Sequence, residues 1–286
     1  MSKEPIVVYE NFSYSYPTTP DALVDIDLKI YRGEVFGVIG PNGAGKSTFC
    51  KSLNGLVPHF YGGTVKGRVL VDGMDTLEHT TSELSMKVGL VFQEPETQLS
   101  GLALTVEDEV GFGLSMLGFP SKVIRKRTRE ALEKVGLKGF EKRSPSELSG
   151  GEQQRLAIAT VLAMEPEIMV LDEPVALLDP IGKSEVLSVV KELAVEGSTI
   201  VIAEHEIEEL AYFANRILVL NEGRMVSLDD SKKVLSEVEK LKKIGIDPPS
   251  VTELAYLLER DLGIKLEYPI TLPEALKIFG ELMEGG

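Results

Sequence analysis

Three hydrophobic rhythms follow one another along the chain. Near the N-terminus Phe12, Tyr14 and Tyr16 alternate with polar neighbours, the period of two expected of a strand with one buried face. Farther on come short apolar runs: Glu34 to Ile39 between Gly33 and Gly40, Val88-Gly89-Leu90-Val91-Phe92, Ile168-Met169-Val170-Leu171 and Thr199-Ile200-Val201-Ile202-Ala203. These read as strands buried on both faces, as in a parallel α/β sheet whose ligands sit beyond the carboxyl ends of the strands. The third rhythm is helical. Leu156, Ile158, Ala159, Val161 and Leu162 predict a buried helix, and Val123, Ile124, Ala131, Leu132 and Val135 predict another, with Ser121 as its N-cap. After about Gly223 helical patterns continue through Val234, Leu235, Val238 and Leu241, then through Ser250-x-x-Glu253 and Thr271-x-x-Glu274, both shaped like capping boxes.

Between the strand that ends at Ile39 and the helix that follows lies Gly40-Pro41-Asn42-Gly43-Ala44-Gly45-Lys46-Ser47-Thr48, the spacing of a phosphate-binding loop. Glycines let backbone N–H groups curl around phosphate oxygens, and the helix beginning at Lys46 turns its positive end toward them. Lys46 is placed for the β- and γ-phosphates of ATP and the Ser47 hydroxyl for Mg²⁺. The loop alone does not separate transporters from kinases, GTPases or DNA-repair ATPases.

Other strands deliver polar residues to the same edge: Gln93 after the second run, Asp172-Glu173 after the third, Glu204-His205 after the fourth. A hard cation takes oxygen ligands, so Asp172 is a candidate to hold Mg²⁺ through its water shell. Glu173 can face the attacking water as general base for in-line attack on the γ-phosphate. Gln93 could touch both metal and water, and His205 could hydrogen-bond the γ-phosphate. Taken singly, paired acids after a strand are often a solvated turn and one polar residue at a strand end is often a cap; it is their order behind the glycine loop that gives them weight.

Leu148-Ser149-Gly150-Gly151-Glu152-Gln153 precedes the buried helical stretch, with Ser149 as its N-cap and Glu152 completing a capping box. The two glycines leave the first-turn N–H groups uncovered, a second anion-binding surface. With this segment the chain, over about residues 5 to 225, resembles the nucleotide-binding subunits of ABC transporters. The resemblance implies a P-loop NTPase fold: an ABC ATPase core with a mostly parallel sheet, an N-terminal antiparallel β subdomain and a helical subdomain at about residues 94–160. It also implies ATP hydrolysis and a head-to-tail dimer in which Ser149 and Gly151 contact the γ-phosphate held by the other subunit, Tyr16 stacks on adenine, and Asp179 crosses the dimer interface. Two departures stand out: Val175 and Leu177 replace a more usual threonine or serine and a small residue, and Asn215-Arg216 stands where Asp-Arg is usual.

Gln93-Glu94-Pro95-Glu96-Thr97-Gln98-Leu99 and Asn54-Gly55-Leu56-Val57-Pro58-His59-Phe60-Tyr61-Gly62-Gly63 look like the ATPases of energy-coupling factor importers, which move vitamins or transition-metal ions. That resemblance implies a second ATPase subunit, integral T and S membrane components, and a place at the cytoplasmic face of the membrane. It also implies an ATPase domain over 1–225 followed by a small C-terminal helical domain, 226–286, that holds two ATPase subunits together. The basic cluster Lys122, Arg125, Lys126, Arg127 and Arg129 reads as a solvated helix face.

Composition narrows the rest. At 286 residues and 43% hydrophobic, the chain can bury a large core. Its apolar runs fall short of the roughly 20 residues of a membrane-spanning helix, and no charged-then-apolar leader precedes the first strand pattern. The net charge of −15, spread along the chain, argues against nucleic acid as a partner. One cysteine, Cys50, excludes an internal disulfide and sits where a small core residue is expected. The alternative is a soluble ABC ATPase serving DNA repair or translation. The roughly one hundred residues between glycine loop and signature leave no room for the long coiled coil of the repair members, and translation members usually hold two cassettes per chain.

Overall fold

The computed structural model describes residues 4–205 and 207–284. Among them ten strands form two sheets. The four-stranded sheet is antiparallel, in the order β2-β1-β4-β5, from β1 (Pro5–Ser15), β2 (Leu23–Tyr31), β4 (Thr64–Val71) and β5 (Met74–Asp75). The six-stranded sheet runs β10-β9-β3-β8-β7-β6, from β3 (Val35–Ile39), β6 (Val88–Val91), β7 (Ile168–Asp172), β8 (Thr199–Ala203), β9 (Arg216–Asn221) and β10 (Arg224–Asp230). It is parallel except for β10, which returns antiparallel along β9.

The period of two decides which side each residue of the large sheet covers. Val35 and Ile39 of β3, Met169 and Leu171 of β7 and Ile200 and Ile202 of β8 enter one apolar layer. Phe36 and Val38, Ile168 and Val170, and Val201 and Ala203 enter the other. The second layer is closed by the antiparallel sheet, through Tyr9, Phe12 and Ile26, and by Phe49, Cys50 and Leu53 of helix Lys46–Leu53. The first is closed by helices Val106–Met116, Ser121–Lys134, Gly150–Leu162 and Pro180–Val195, and also by Val234, Leu235, Leu241 and Ile270 from the C-terminal segment. Position 225 falls inside β10.

Register brings the strand ends level. Val38 pairs with Ala203, Ala203 with Asp172, and Leu171 with Val91, so the loop after β3 and the residues after β6, β7 and β8 emerge along one edge.

Two expected caps are not formed. Helix Ser121–Lys134 has Pro120 at its N-cap with no side-chain bond, so Ser121 is its first helical residue. Helix Ser250–Leu262 likewise starts behind Pro249, and the Ser250 hydroxyl donates to Glu208 Oε1 (2.5 Å) while Glu253 pairs with Lys242. In both places proline already fixes an extended entry to the helix, leaving the hydroxyl no capping role. Glu274 accepts from Ile270 N (2.9 Å) and from Lys232 Nζ (2.6 Å). The basic side chains of helix Ser121–Lys134 are exposed apart from Arg127, which pairs with Glu165 at 2.5 Å. No described helix is long and apolar enough to cross a membrane.

Candidate active site

Close packing dictates the glycines of the loop. A Cβ at Gly40 would lie 2.4 Å from the Leu220 carbonyl oxygen and 2.8 Å from Ala44 Cβ. Gly45 has φ +104, a left-handed conformation, and a Cβ there would meet the Ala22 carbonyl oxygen at 2.6 Å. Gly43 meets nothing within 4 Å and forms the open rim, beside exposed Asn42. Lys46, 4% exposed, folds back so that Nζ donates to the carbonyls of Gly40 (3.0 Å) and Pro41 (3.3 Å). The Thr48 hydroxyl lies 3.2 Å from Tyr16 Oη. Tyr14 is buried, whereas Tyr16 beyond the end of β1 lines the cleft, its ring edge-on to Tyr14. Of the three alternating aromatics, Phe12 and Tyr14 are spent on packing and Tyr16 is left to face the cleft.

Ser47 Oγ donates to Asp172 Oδ1 at 2.9 Å, which joins the first helical turn after the loop to the end of β7. Asp172 is 4% exposed; burial pushes its carboxyl above the usual range, and the Ser47 bond opposes that. Glu173 takes φ +50, uncommon for a side chain with a Cβ, while its N–H still donates to the Ala203 carbonyl. Its Oε1 is 3.2 Å from Lys46 Nζ and 3.0 Å from His205 Nε2, and those two nitrogens are 3.3 Å apart. The tautomer carrying its proton on Nε2 donates to Glu173. Gln93 is exposed and lines the same cleft, an open volume of about 760 Å³.

The structure thus brings together Tyr16, the loop from Gly40 to Thr48, Gln93, Asp172, Glu173 and His205. Ser149, Gly150, Gly151 and Asp179 form a separate exposed corner that does not line this cleft. There the capping box is complete: Glu152 N donates to Ser149 Oγ (3.3 Å) and Ser149 N to Glu152 Oε2 (2.7 Å), and the bond from the Ser149 N–H holds the Glu152 carboxyl below its usual range. Gly151 lets two helices approach, since its Cβ would stand 3.0 Å from Gly182 Cα. Asp179 Oδ1 accepts from Gly182 N at 2.8 Å and so caps helix Pro180–Val195.

The sequence departures have local explanations. Val175 is 2% exposed and packs in the core, while Leu177 is 64% exposed on the corner side. Asn215 Oδ1 accepts from Val35 N at 2.8 Å, a bond that aspartate would make equally well. Two features went unread. The β9–β10 turn brings Glu222 and Arg224 to the cleft wall, with Gly223 N donating to the Ala44 carbonyl (3.0 Å) and the Gly223 carbonyl accepting from Val24 N (2.8 Å). The other is a pair of amides, Gln98 and Gln154, that brackets the peptide before Gln93; in the sequence only the turn residues Glu222-Gly223 offered a signal.

The glycine loop and the hydroxyl–carboxylate pair fit a nucleotide and a divalent cation: the rim at Gly43 is open, with nothing within 4 Å of where a Cβ would stand, and oxygen donors suit the cation. Residues 23–176 match the model of the ABC transporter family. The energy-coupling factor transporter ATP-binding protein EcfA1 of Caldanaerobacter subterraneus subsp. tengcongensis is 42% identical over 280 residues, covering 96% of this chain and 98% of that protein. The corresponding protein EcfA of Methanothermobacter thermautotrophicus is 39% identical over 281 residues, covering 96% and 88%. Among solved structures, cbiO1 from Clostridium perfringens, part of the ABC transporter complex cbiONQ, superposes with a TM-score of 0.74 at 34% identity, covering 90% of this chain and all of that one. The chain belongs to the ABC transporter family, as one of its ATP-binding proteins.

Proposed function

We propose that this protein is the ATP-binding and ATP-hydrolysing subunit of an energy-coupling factor importer, driving uptake of a vitamin or metal ion through membrane partners. The observation that carries the reading is the convergence of Lys46, Asp172, Glu173 and His205 behind the glycine loop, in a chain alike over nearly its whole length to energy-coupling factor ATPases. In the proposed site the loop N–H groups from Asn42 to Thr48 and Lys46 hold the ATP phosphates, and Tyr16 carries the adenine. Ser47, Asp172 and Gln93 would hold Mg²⁺, which draws charge from the phosphate oxygens. Glu173, released from Lys46 when a phosphate takes that cation, orients the attacking water and receives its proton. His205 holds the γ-phosphate through Nε2.

The corner of Ser149, Gly150, Gly151 and Asp179 completes the site of a second ATPase subunit, so two chains close on ATP and part after hydrolysis. Leu102 and Leu104, 75% and 83% exposed beside helix Val106–Met116, would receive the membrane components. The C-terminal helices expose Leu254, Leu262, Leu272 and Leu276, an apolar surface fit to hold a second copy. The work is done at the cytoplasmic face of the membrane. The test is twofold: Lys46→Ala should lose nucleotide affinity, and membranes solubilised with the tagged protein should yield integral subunits. Unchanged affinity would remove the site assignment; a protein that copurifies only with ribosomes or DNA would remove the transport assignment.

A further inference from the structure

The peptide that carries Gln93 is held by side chains. Pairing of β6 with β7 ends at Val91, yet Phe92 leaves neither backbone group without a partner. Its N–H donates to Gln98 Oε1 (3.1 Å), and its carbonyl accepts from Gln154 Nε2 (3.3 Å). Gln98 Nε2 in turn donates to the Ala157 carbonyl (3.0 Å) and to Thr160 Oγ1 (3.2 Å). Gln154, Ala157 and Thr160 all belong to helix Gly150–Leu162, and Gln154 is 1% exposed. Both contacts of the Phe92 peptide therefore lead to one helix, the one that starts at Ser149.

The chemistry of the bridge requires an amide. One planar group must accept from a backbone N–H with its oxygen and donate to a backbone carbonyl with its nitrogen. A carboxylate at 98 would keep the first bond and set an anion against the Ala157 carbonyl. An aliphatic side chain would leave the Phe92 N–H without a partner, a cost that favours movement of the peptide. Two residues on, Ser100 N and Oγ donate to buried Glu109 (2.6 and 2.7 Å), so the loop is pinned again on helix Val106–Met116.

We propose that Gln98 is a positioning residue for ATP hydrolysis. It fixes Gln93 to helix Gly150–Leu162, so the amide offered to metal and water in one site moves with the Ser149 corner that helix presents to the other. This rests on the role given to Gln93 above. It acts through Gln93, never on the nucleotide, which defines the experiment.

ATP hydrolysis by the whole purified chain is followed against Mg²⁺ concentration for wild type, Q93A, Q98A, Q98E and the double variant Q93A/Q98A, with melting curves alongside. Q98A and Q98E should each lower kcat on the order of tenfold, as displaced supporting groups do, and raise the Mg²⁺ concentration for half-activation. Affinity for ADP in EDTA should be unchanged, and Q98A should add nothing to Q93A. If Q93A is impaired and Q98A contributes its full loss on top, or if Q98A alone shows the wild-type Mg²⁺ profile, the clamp is refuted while the site stands. If Q93A itself turns over ATP like wild type, the role of Gln93 falls and the clamp falls with it. Q98E guards against misfolding as the cause, because it keeps the bond to Phe92 and should still show the defect.

Discussion

Replacing Glu173 with glutamine should tighten ADP binding even as it abolishes turnover. The Glu173 carboxylate lies 3.2 Å from Lys46 Nζ, with the two side chains 11% and 4% exposed, and 3.0 Å from His205 Nε2. A β-phosphate arriving at Lys46 must displace that carboxylate and then sit beside it. A hydrogen bond to a charged group contributes about 1.5–3 kcal/mol. Glutamine keeps the shape and removes the charge, so the empty site loses this contribution and the loaded site loses a like-charge repulsion. Both changes favour nucleotide, and at 1.4 kcal/mol per factor of ten the gain is about tenfold to a hundredfold. ADP is the informative ligand because it lacks the γ-phosphate that would close two chains together. The chain has no tryptophan and eight tyrosines, so a fluorescent ADP analogue excited by transfer from tyrosine gives the titration on a dark background. Calorimetry supplies a label-free check. ADP affinity in E173Q equal to or below wild type, with the nucleotide-free melting temperature unmoved, would show that the carboxylate does not occupy the lysine.

Three further outcomes follow from the geometry. Burial holds the Asp172 carboxyl above its unfolded value, so its charged form costs stability at neutral pH and that cost fades as pH falls through the folded value. D172N should therefore melt above wild type at neutral pH, with the gap closing on acidification, while Mg²⁺-dependent hydrolysis is lost. A D172N protein that melts lower at neutral pH would contradict this. S149A removes an N-cap worth about 1 kcal/mol and should lower the melting temperature slightly. In an E173Q background it should also reduce the ATP-driven dimer seen by size exclusion, and an undiminished dimer would count against the corner's role. A double L102D/L104D change falls on exposed positions and should move stability by less than about 0.5 kcal/mol. It should reduce copurification of membrane subunits, and full recovery of those subunits would place the docking surface elsewhere.

What the sequence disclosed was whatever lies close along the chain or ends a strand. The glycine spacing, the Ser149–Glu152 box and the acids after β7 are local patterns, and level strand ends turn them into one edge. Adjacent Pro120 displaces the cap expected at Ser121, but most of the other failures come from partners far away along the chain. The Ser250 box looked complete until Glu208, 42 residues earlier, took the hydroxyl. Gln98 looked like one letter of a family segment because its partners lie about sixty positions on, at Ala157 and Thr160. The pairing of Glu173 with Lys46 spans 127 positions, the difference of their numbers, and has no signature in either neighbourhood. β10 was missed as a strand because it has no buried run, its middle positions being half-exposed along the sheet edge.

Gly223 acts as a rivet between two sheet layers that share one apolar core, with Phe12 and Ile26 from one and Phe36 and Val38 from the other. It ties the loop of the parallel sheet, through Ala44, to the strand entry at Val24 in the antiparallel one, and a Cβ there would press 2.5 Å from the Asp21 carbonyl oxygen. In the proposed arrangement the base rests on one layer and the phosphates on the other, so a whole nucleotide measures whether the layers are aligned. Pyrophosphate, touching one layer only, would be blind to the same slip; a G223A protein that discriminates between the two ligands would make that alignment visible in solution.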